Sequence, residues 1–160
     1  MESLLKSEFG ASEVLWLEDG IAGDDTDGHI DDLARFVAPG QVVTIVEANP
    51  SDANHGVLKA NRERLEGMKD AKGRPLLVAE LPMPPAIEGP FGRAPASYAN
   101  FYFCNSGVLL PVFGADTDRE AVAVMERLVT DRPVIPIPSQ NLVLGLGSVH
   151  CLTQQEPSLS

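Results

Sequence analysis

Cysteine is scarce in this chain. Two residues, Cys104 and Cys151, cannot form a disulfide framework, and such low usage suits a reducing compartment. Positive charge is also scarce: 12 Lys and Arg stand against 23 Asp and Glu, leaving a net charge of −11. An acidic surface repels phosphate backbones, which argues against nucleic acid as a partner. It attracts small cations, although excess negative charge also simply keeps a protein soluble. Long apolar runs are missing. No stretch approaches the roughly 18 apolar residues of a membrane span. The opening residues MESLLKSEFG lack the apolar segment of about 7–15 residues that a signal peptide needs. The expectation is a cytoplasmic protein with no membrane partner. A Walker A sequence, a G-x-S-x-G elbow and a G-x-G-x-x-G turn are all absent.

What is present reads as a globular α/β chain. Its 160 residues favour one domain, with 44% apolar and 22% charged residues in an ordinary balance. Residues 2–9 suggest a short helix, and EVLWL (13–17) a strand. Two β-prone runs, 34–37 and 42–46, flank Pro39-Gly40 and predict a hairpin. Residues 52–69 carry partial helical spacing, with Ser51 or Asp52 as N-cap. LLVAEL (76–81) predicts a buried strand. Five prolines between 82 and 97 exclude a helix or a central strand, so that stretch predicts a long loop, functional or mobile. NFYFCNSGVLLPVF (100–113) predicts a hairpin turning at Asn105-Ser106-Gly107. DREAVAVMERLV (118–129) places Ala121, Val122, Met125, Leu128 and Val129 on one helical face. PVIPI (133–137) predicts a strand. The order hairpin, helix, strand thus occurs twice, which predicts a repeated ββαβ unit of roughly 45–65 residues.

Two segments carry residues capable of chemistry. Cys151 follows Gly145-Leu146-Gly147-Ser148-Val149-His150, where two glycines let the backbone approach a ligand closely. A lone cysteine is more often a buried small hydrophobe, a description that fits Cys104 in the apolar run FYFC. His29 lies in GDDTDGHIDD (23–32), and histidine exchanges protons near neutral pH. Asp31 is two residues on, so in an extended segment both side chains point the same way. The plain alternative is a solvated acidic loop. A calcium loop requires ligands where Gly23 and Ala34 stand, which speaks against it. A zinc site built from His29, Asp31, His150 and Cys151 lacks a ligand pair with finger spacing.

Four stretches occur in the order of one known family: GDDTDGHIDDLARF (23–36), KGRPLLVAELPMPP (72–85), PASYANFYFCN (95–105) and GLGSVHCLTQQEP (145–157). With them the chain resembles the agmatine deiminase and bacterial-type peptidylarginine deiminase family. The resemblance implies a pentein-type α/β propeller, here about two ββαβ units plus the closing segment that bears the cysteine. It implies Cys151 as nucleophile, His29 as general acid/base and Asp31 as a carboxylate gripping a small cationic guanidine substrate. It implies no metal or organic cofactor. Family members are much longer and carry further acidic substrate-binding residues N-terminal to this region. Glu18 and Asp25 do not match those positions. On this resemblance, residues 1–160 form the C-terminal part of a pentein deiminase domain without its N-terminal part. Such a chain is a catalytically incomplete fragment, a homo-oligomer, or a partner completed by the missing N-terminal half. The implied reaction is hydrolysis of agmatine to N-carbamoylputrescine and ammonia, with arginine or peptidylarginine as alternative substrates.

Overall fold

The computed structural model describes residues 1–25 and 28–156. Thr26 and Asp27, within the loop compared with a calcium site, lie outside the described residues, as does Pro157 at the end of the fourth matching stretch. Helix α1 (Glu2–Phe9) forms where expected, and Gly10 in a left-handed conformation ends it. The strand expected at 13–17 does not form. Residues 11–20 pair with no strand. Leu15 and Leu17 pack against the core edge. Just after the expected strand, two asparagines at the following helix bond the backbone of Glu18, Asp19 and Ala22. Asn61 Oδ1 accepts the Glu18 amide at 3.0 Å, Asn61 Nδ2 donates to the Asp19 carbonyl at 3.0 Å, and Asn54 Oδ1 accepts the Ala22 amide at 2.7 Å. Both asparagines are buried; these bonds occupy both ends of the Asn61 carboxamide and the oxygen of Asn54, whose Nδ2 finds no partner among the described residues.

The first unit begins with β1 (Ala34–Ala38), antiparallel to β2 (Gln41–Val46) across Pro39-Gly40. Helix α2 (His55–Gly67) then carries the chain over to β3 (Leu77–Pro82), which lies parallel to β2 from Gln41–Leu77 to Val46–Pro82. Neither Ser51 nor Asp52 caps α2. Asn54 stands at the N-cap, while Asp52 accepts the Asn54 amide at 2.9 Å and pairs with Arg93 at 2.9 Å. Strand β3 is not the buried strand expected. Leu81 is fully buried but Leu77 is 68% exposed, and β3 stands at the edge of its sheet.

The proline-rich stretch holds a small hairpin, β4 (Glu88–Gly89) with β5 (Gly92–Arg93). The second unit repeats the first: β6 (Tyr102–Cys104) antiparallel to β7 (Gly107–Val112), helix α3 (Thr117–Leu128), then β8 (Val134–Pro138) parallel to β7. Each unit keeps its own three-stranded open sheet, and no closed sheet occurs among the described residues. The two units share one core because α3 packs on both β8 and β3. Leu58, Val43 and Ile45 of the first unit join Val108, Leu110, Ala121 and Met125 of the second in a single buried cluster. Each large side chain so buried contributes about 1.5–3 kcal/mol relative to exposure. Among the described residues no helix is long and apolar enough to cross a membrane.

Residues 94–101 are the unexpected part. They sit in the stretch leading out of the loop, yet every one is buried. Irregular backbone can be buried only where its polar groups find partners. Here Ser97 Oγ donates to the Asp32 carbonyl at 2.8 Å and accepts the Ala99 amide at 3.1 Å. Arg35 donates to the Phe101 carbonyl at 2.9 Å. The bonds that bury this segment therefore come from residues around Asp31.

Candidate active site

Three short segments meet at one end of the sheets. The first is the turn before β1. Asp24 Oδ2 accepts the amides of Gly28 at 3.0 Å and His29 at 2.6 Å, closing the acidic loop. The loop also needs glycine at Gly23, whose φ is +93° and whose α-carbon abuts the Arg93 carbonyl; a β-carbon there would lie 2.1 Å from that oxygen. His29 then leads into a single 3-10 turn, Ile30–Asp32, held by the Asp32 amide on the His29 carbonyl. Because this segment turns, the alternation that put His29 and Asp31 on one side does not apply. His29 is exposed and lies against Asp24 and Asp32, one polar atom of each within 4.8 Å of the others. Asp31 instead faces His150 and Cys151. Among the described residues the imidazole of His29 makes no hydrogen bond to Cys151.

The second segment is the 3-10 turn His150–Leu152 at the end of the chain. Gly147 makes it possible. A β-carbon on Gly147 would stand 2.9 Å from Cys151 Cβ and 3.3 Å from Sγ. Leu146 before it holds φ at +65°, a left-handed conformation that costs a non-glycine residue energy. His150 Nδ1 is 2.7 Å from Asp31 Oδ2, and Cys151 Sγ is 3.5 Å from the same oxygen.

The third segment supplies Asn100, which is fully buried. Its Nδ2 lies 3.0 Å from Asp31 Oδ2, 2.9 Å from Asp32 Oδ1 and 3.2 Å from Cys151 Sγ. Its Oδ1 accepts the His150 amide at 2.9 Å and the Cys151 amide at 3.4 Å, and its carbonyl also accepts the His150 amide at 3.1 Å. Behind it, the Arg35 guanidinium lies 4.9 Å from the Phe101 ring centroid, a cation–π contact that holds a positive charge under the site.

These surroundings separate the ionisable groups. Burial pushes the Asp32 carboxyl up to about 7, and the neighbouring Asp31 charge adds to the effect. Burial also pushes Asp31 up, but the bond and charge of His150 and the contact with Cys151 outweigh it, so Asp31 lies below its ordinary value. Partial burial raises the Cys151 thiol. The Ser148 amide and Asn100 oppose that rise, and the charges of Asp31 and Asp32 reinforce it. The site therefore rests with an ionised Asp31 beside a largely protonated thiol.

Of the residues expected from sequence, Asp31 and Cys151 come together, and His29 lies against Asp24 and Asp32, where its charge acts on Asp31. The zinc set considered above is not gathered: His29 faces Asp24 and Asp32, while His150 and Cys151 face Asp31. Glu18 pairs with Arg64 on α2, away from this chemistry. Sequence reasoning missed Asn100, Asp32 and Arg35, and treated His150 only as a poor zinc ligand. A signal existed for Asn100. A carboxamide inside the apolar run SYANFYF must find partners when buried.

The model of the Porphyromonas-type peptidyl-arginine deiminase family matches residues 1–157. The chain belongs to that family. It is 34% identical over 176 residues to the agmatine deiminase of Pseudomonas fluorescens, covering 99% of this chain and 48% of that one. Two solved structures are similar. One is the agmatine deiminase of Enterococcus faecalis, at TM-score 0.90 and 34% identity over 97% of this chain and 47% of that one. The other is an agmatine deiminase of C. jejuni with substrate bound, at TM-score 0.85 and 28% identity over 93% and 43%. The chain thus spans about half the length of the relatives it matches.

Proposed function

We propose that this chain carries the cysteine-bearing half of a guanidine deiminase site that hydrolyses agmatine to N-carbamoylputrescine and ammonia. The observation that carries the reading is a single oxygen: Asp31 Oδ2 lies 3.5 Å from the Cys151 sulfur. A guanidinium held on that carboxylate by charge-assisted hydrogen bonds has its central carbon beside the sulfur. The same cation offsets the negative charges that keep the thiol protonated, so binding favours the thiolate. The Cys151 thiol passes its proton to an imidazole, the thiolate attacks the guanidinium carbon to form a tetrahedral adduct, and the imidazolium gives that proton to the ammonia departing as the C–N bond breaks. Water, deprotonated by that imidazole, then attacks the amidino-thioether carbon. Collapse of the second adduct breaks the C–S bond and releases the ureido product and the thiolate. His29 is the proposed proton-transfer group. The proposed mechanism needs no cofactor.

Agmatine is preferred because the curated relatives are named for it; arginine and peptidylarginine share the guanidinium and differ only in the tail. The two ββαβ units are proposed to form part of a pentein-type propeller, completed by an N-terminal half or by other copies of the chain. The test is ammonia release from agmatine by the chain alone and by the chain mixed with the N-terminal half of a relative, each beside Cys151→Ala. The expected result is release that Cys151→Ala lowers by at least about 10³-fold, as for loss of a covalent nucleophile. Release that persists in Cys151→Ala, or none in any arrangement, overturns the reading.

A further inference from the structure

Asn100 touches both of the other segments of this site, bonding Asp31 and Asp32 on one side and His150 and Cys151 on the other. It is fully buried, it carries no charge, and both ends of its carboxamide are occupied. The oxygen end accepts the backbone amides of His150 and Cys151, at 2.9 and 3.4 Å. Those bonds dock the cysteine turn. The nitrogen end faces Asp31 Oδ2, Asp32 Oδ1 and Cys151 Sγ at 3.0, 2.9 and 3.2 Å. Two N–H bonds thus serve three acceptors, so the amide is shared among them. A carboxamide is the side-chain group that both accepts from amides and donates to carboxylates without adding charge. An acid in its place would repel Asp31, Asp32 and a thiolate. A lysine or arginine would neutralise the carboxylate that a cationic substrate needs.

We propose that Asn100 is a positioning residue, fixing the Cys151 turn against the Asp31–Asp32 turn and donating an N–H to the sulfur when it ionises. This deepens the deiminase reading and rests on it for its catalytic meaning. The distance of sulfur from carboxylate, which decides where an attacked carbon can sit, is then set by a side chain that need not touch substrate. The donor also makes ionisation of Cys151 easier in a pocket where burial, Asp31 and Asp32 all oppose it and the Ser148 amide and Arg35 favour it.

The test needs no turnover. The rate at which iodoacetamide alkylates Cys151 is followed against pH by peptide mass spectrometry on the whole chain. Cys104 is the internal reference, and His29 and His150 are retained in every variant. In Asn100→Ala the pH of half-maximal rate for Cys151 rises by about one unit, the loss of a hydrogen bond to a charged group. In Asn100→Asp, which keeps the accepting oxygen, it rises further, by about two units, through like-charge repulsion. The Cys104 midpoint stays put in both. A merely structural loss changes the rate at every pH and leaves the midpoint in place. An unshifted Cys151 midpoint in a folded variant overturns the proposal. If neither variant folds, the side-chain amide resonances of Asn100 in the unaltered protein decide it. They must shift across the pH range in which Cys151 becomes reactive, and resonances indifferent to that titration overturn the proposal. Ammonia release with an unshifted midpoint removes Asn100 alone, whereas a shifted midpoint without ammonia release removes the deiminase reading alone.

Discussion

The two ββαβ units share a topology and diverge in the residues just ahead of their first strands. Aligned on the starts of β1 and β6, Ile30-Asp31-Asp32-Leu33 corresponds to Tyr98-Ala99-Asn100-Phe101. The last position is the same in kind. Leu33 and Phe101 are both buried and pin their turns to the core. The position before it differs in charge only, Asp32 against Asn100, and the two are bonded to each other at 2.9 Å. The remaining positions differ in role. Asp31 is a site carboxylate where the second unit has Ala99. Ile30 is 54% exposed where the second unit has a fully buried Tyr98. One local plan thus yields a charged, partly exposed turn in one unit and a neutral, fully buried one in the other. The site arises where the two face each other.

If the pinning position is equivalent, its loss should cost the two units alike. Leu33→Ala and Phe101→Ala are each expected to destabilise the chain by about 3–5 kcal/mol, through lost burial plus the cavity left behind. Phe36, an aromatic of β1 that points outward, is expected to cost no more than about 0.5 kcal/mol on truncation. Urea unfolding of the three variants checks this. A cheap Leu33→Ala beside a costly Phe101→Ala would break the equivalence and make the second unit alone the anchor.

Much of the fold was legible because periodicity reports burial. Both hairpins, α2, α3 and the strands that follow them appear near their expected bounds, since β-prone runs, turn residues and helical spacing mark them. EVLWL misled because an apolar run says that side chains are buried, not where the backbone bonds go. Asn54 and Asn61, 32 and 43 positions away from their partners Ala22 and Glu18, fix the backbone just after the run without a strand partner. Two residues of the candidate site, Asp31 and Cys151, were legible through motifs. The apolar run around Asn100 signals that its carboxamide is partnered, but which residues partner Asn100 and His150 was illegible, because those contacts lie 69 and 119 residues apart in the chain. Composition and spacing carry no trace of such contacts.

The difference in charge between Asp32 and Asn100 can be removed. Asp32→Asn gives both turns the same side chain, and the pH dependence of stability should report it. Burial raises the folded-state carboxyl of Asp32 to about 7, above its ordinary 3.8. The folded chain therefore holds that proton more tightly than the unfolded chain, and the associated stability is complete below about pH 4 and lost as pH rises through 7. Asp31, shifted the other way, contributes above its ordinary value and loses that contribution only as pH falls below it. The Asn variant is thus expected to gain on the parent by ~2–4 kcal/mol between pH 4 and pH 8. Denaturant midpoints at both pH values measure it, and parallel curves for parent and variant would leave Asp32 ordinary and the two turns electrically alike.

The smallest effect is expected where the units differ most in burial. The Tyr98 hydroxyl donates to Asp118 Oδ1 at 2.6 Å and bonds Thr117 Oγ1 at 2.8 Å, tying the buried segment to the start of α3. Burial and the Asp118 charge push its phenol well above the ordinary range, so it stays a donor at any working pH. Asp118 also accepts the amides of Phe113 at 2.9 Å and Ala115 at 3.1 Å, so it keeps partners when the hydroxyl is gone. Tyr98→Phe should therefore cost about 1–2 kcal/mol, the value of a hydrogen bond to a charged acceptor that remains partly satisfied. Ile30→Ala, at the matching but exposed position, should cost about 0.5 kcal/mol or less. Equal costs at the two positions would mean that Ile30 is covered in the assembled protein, and that the first unit's turn faces a partner rather than solvent.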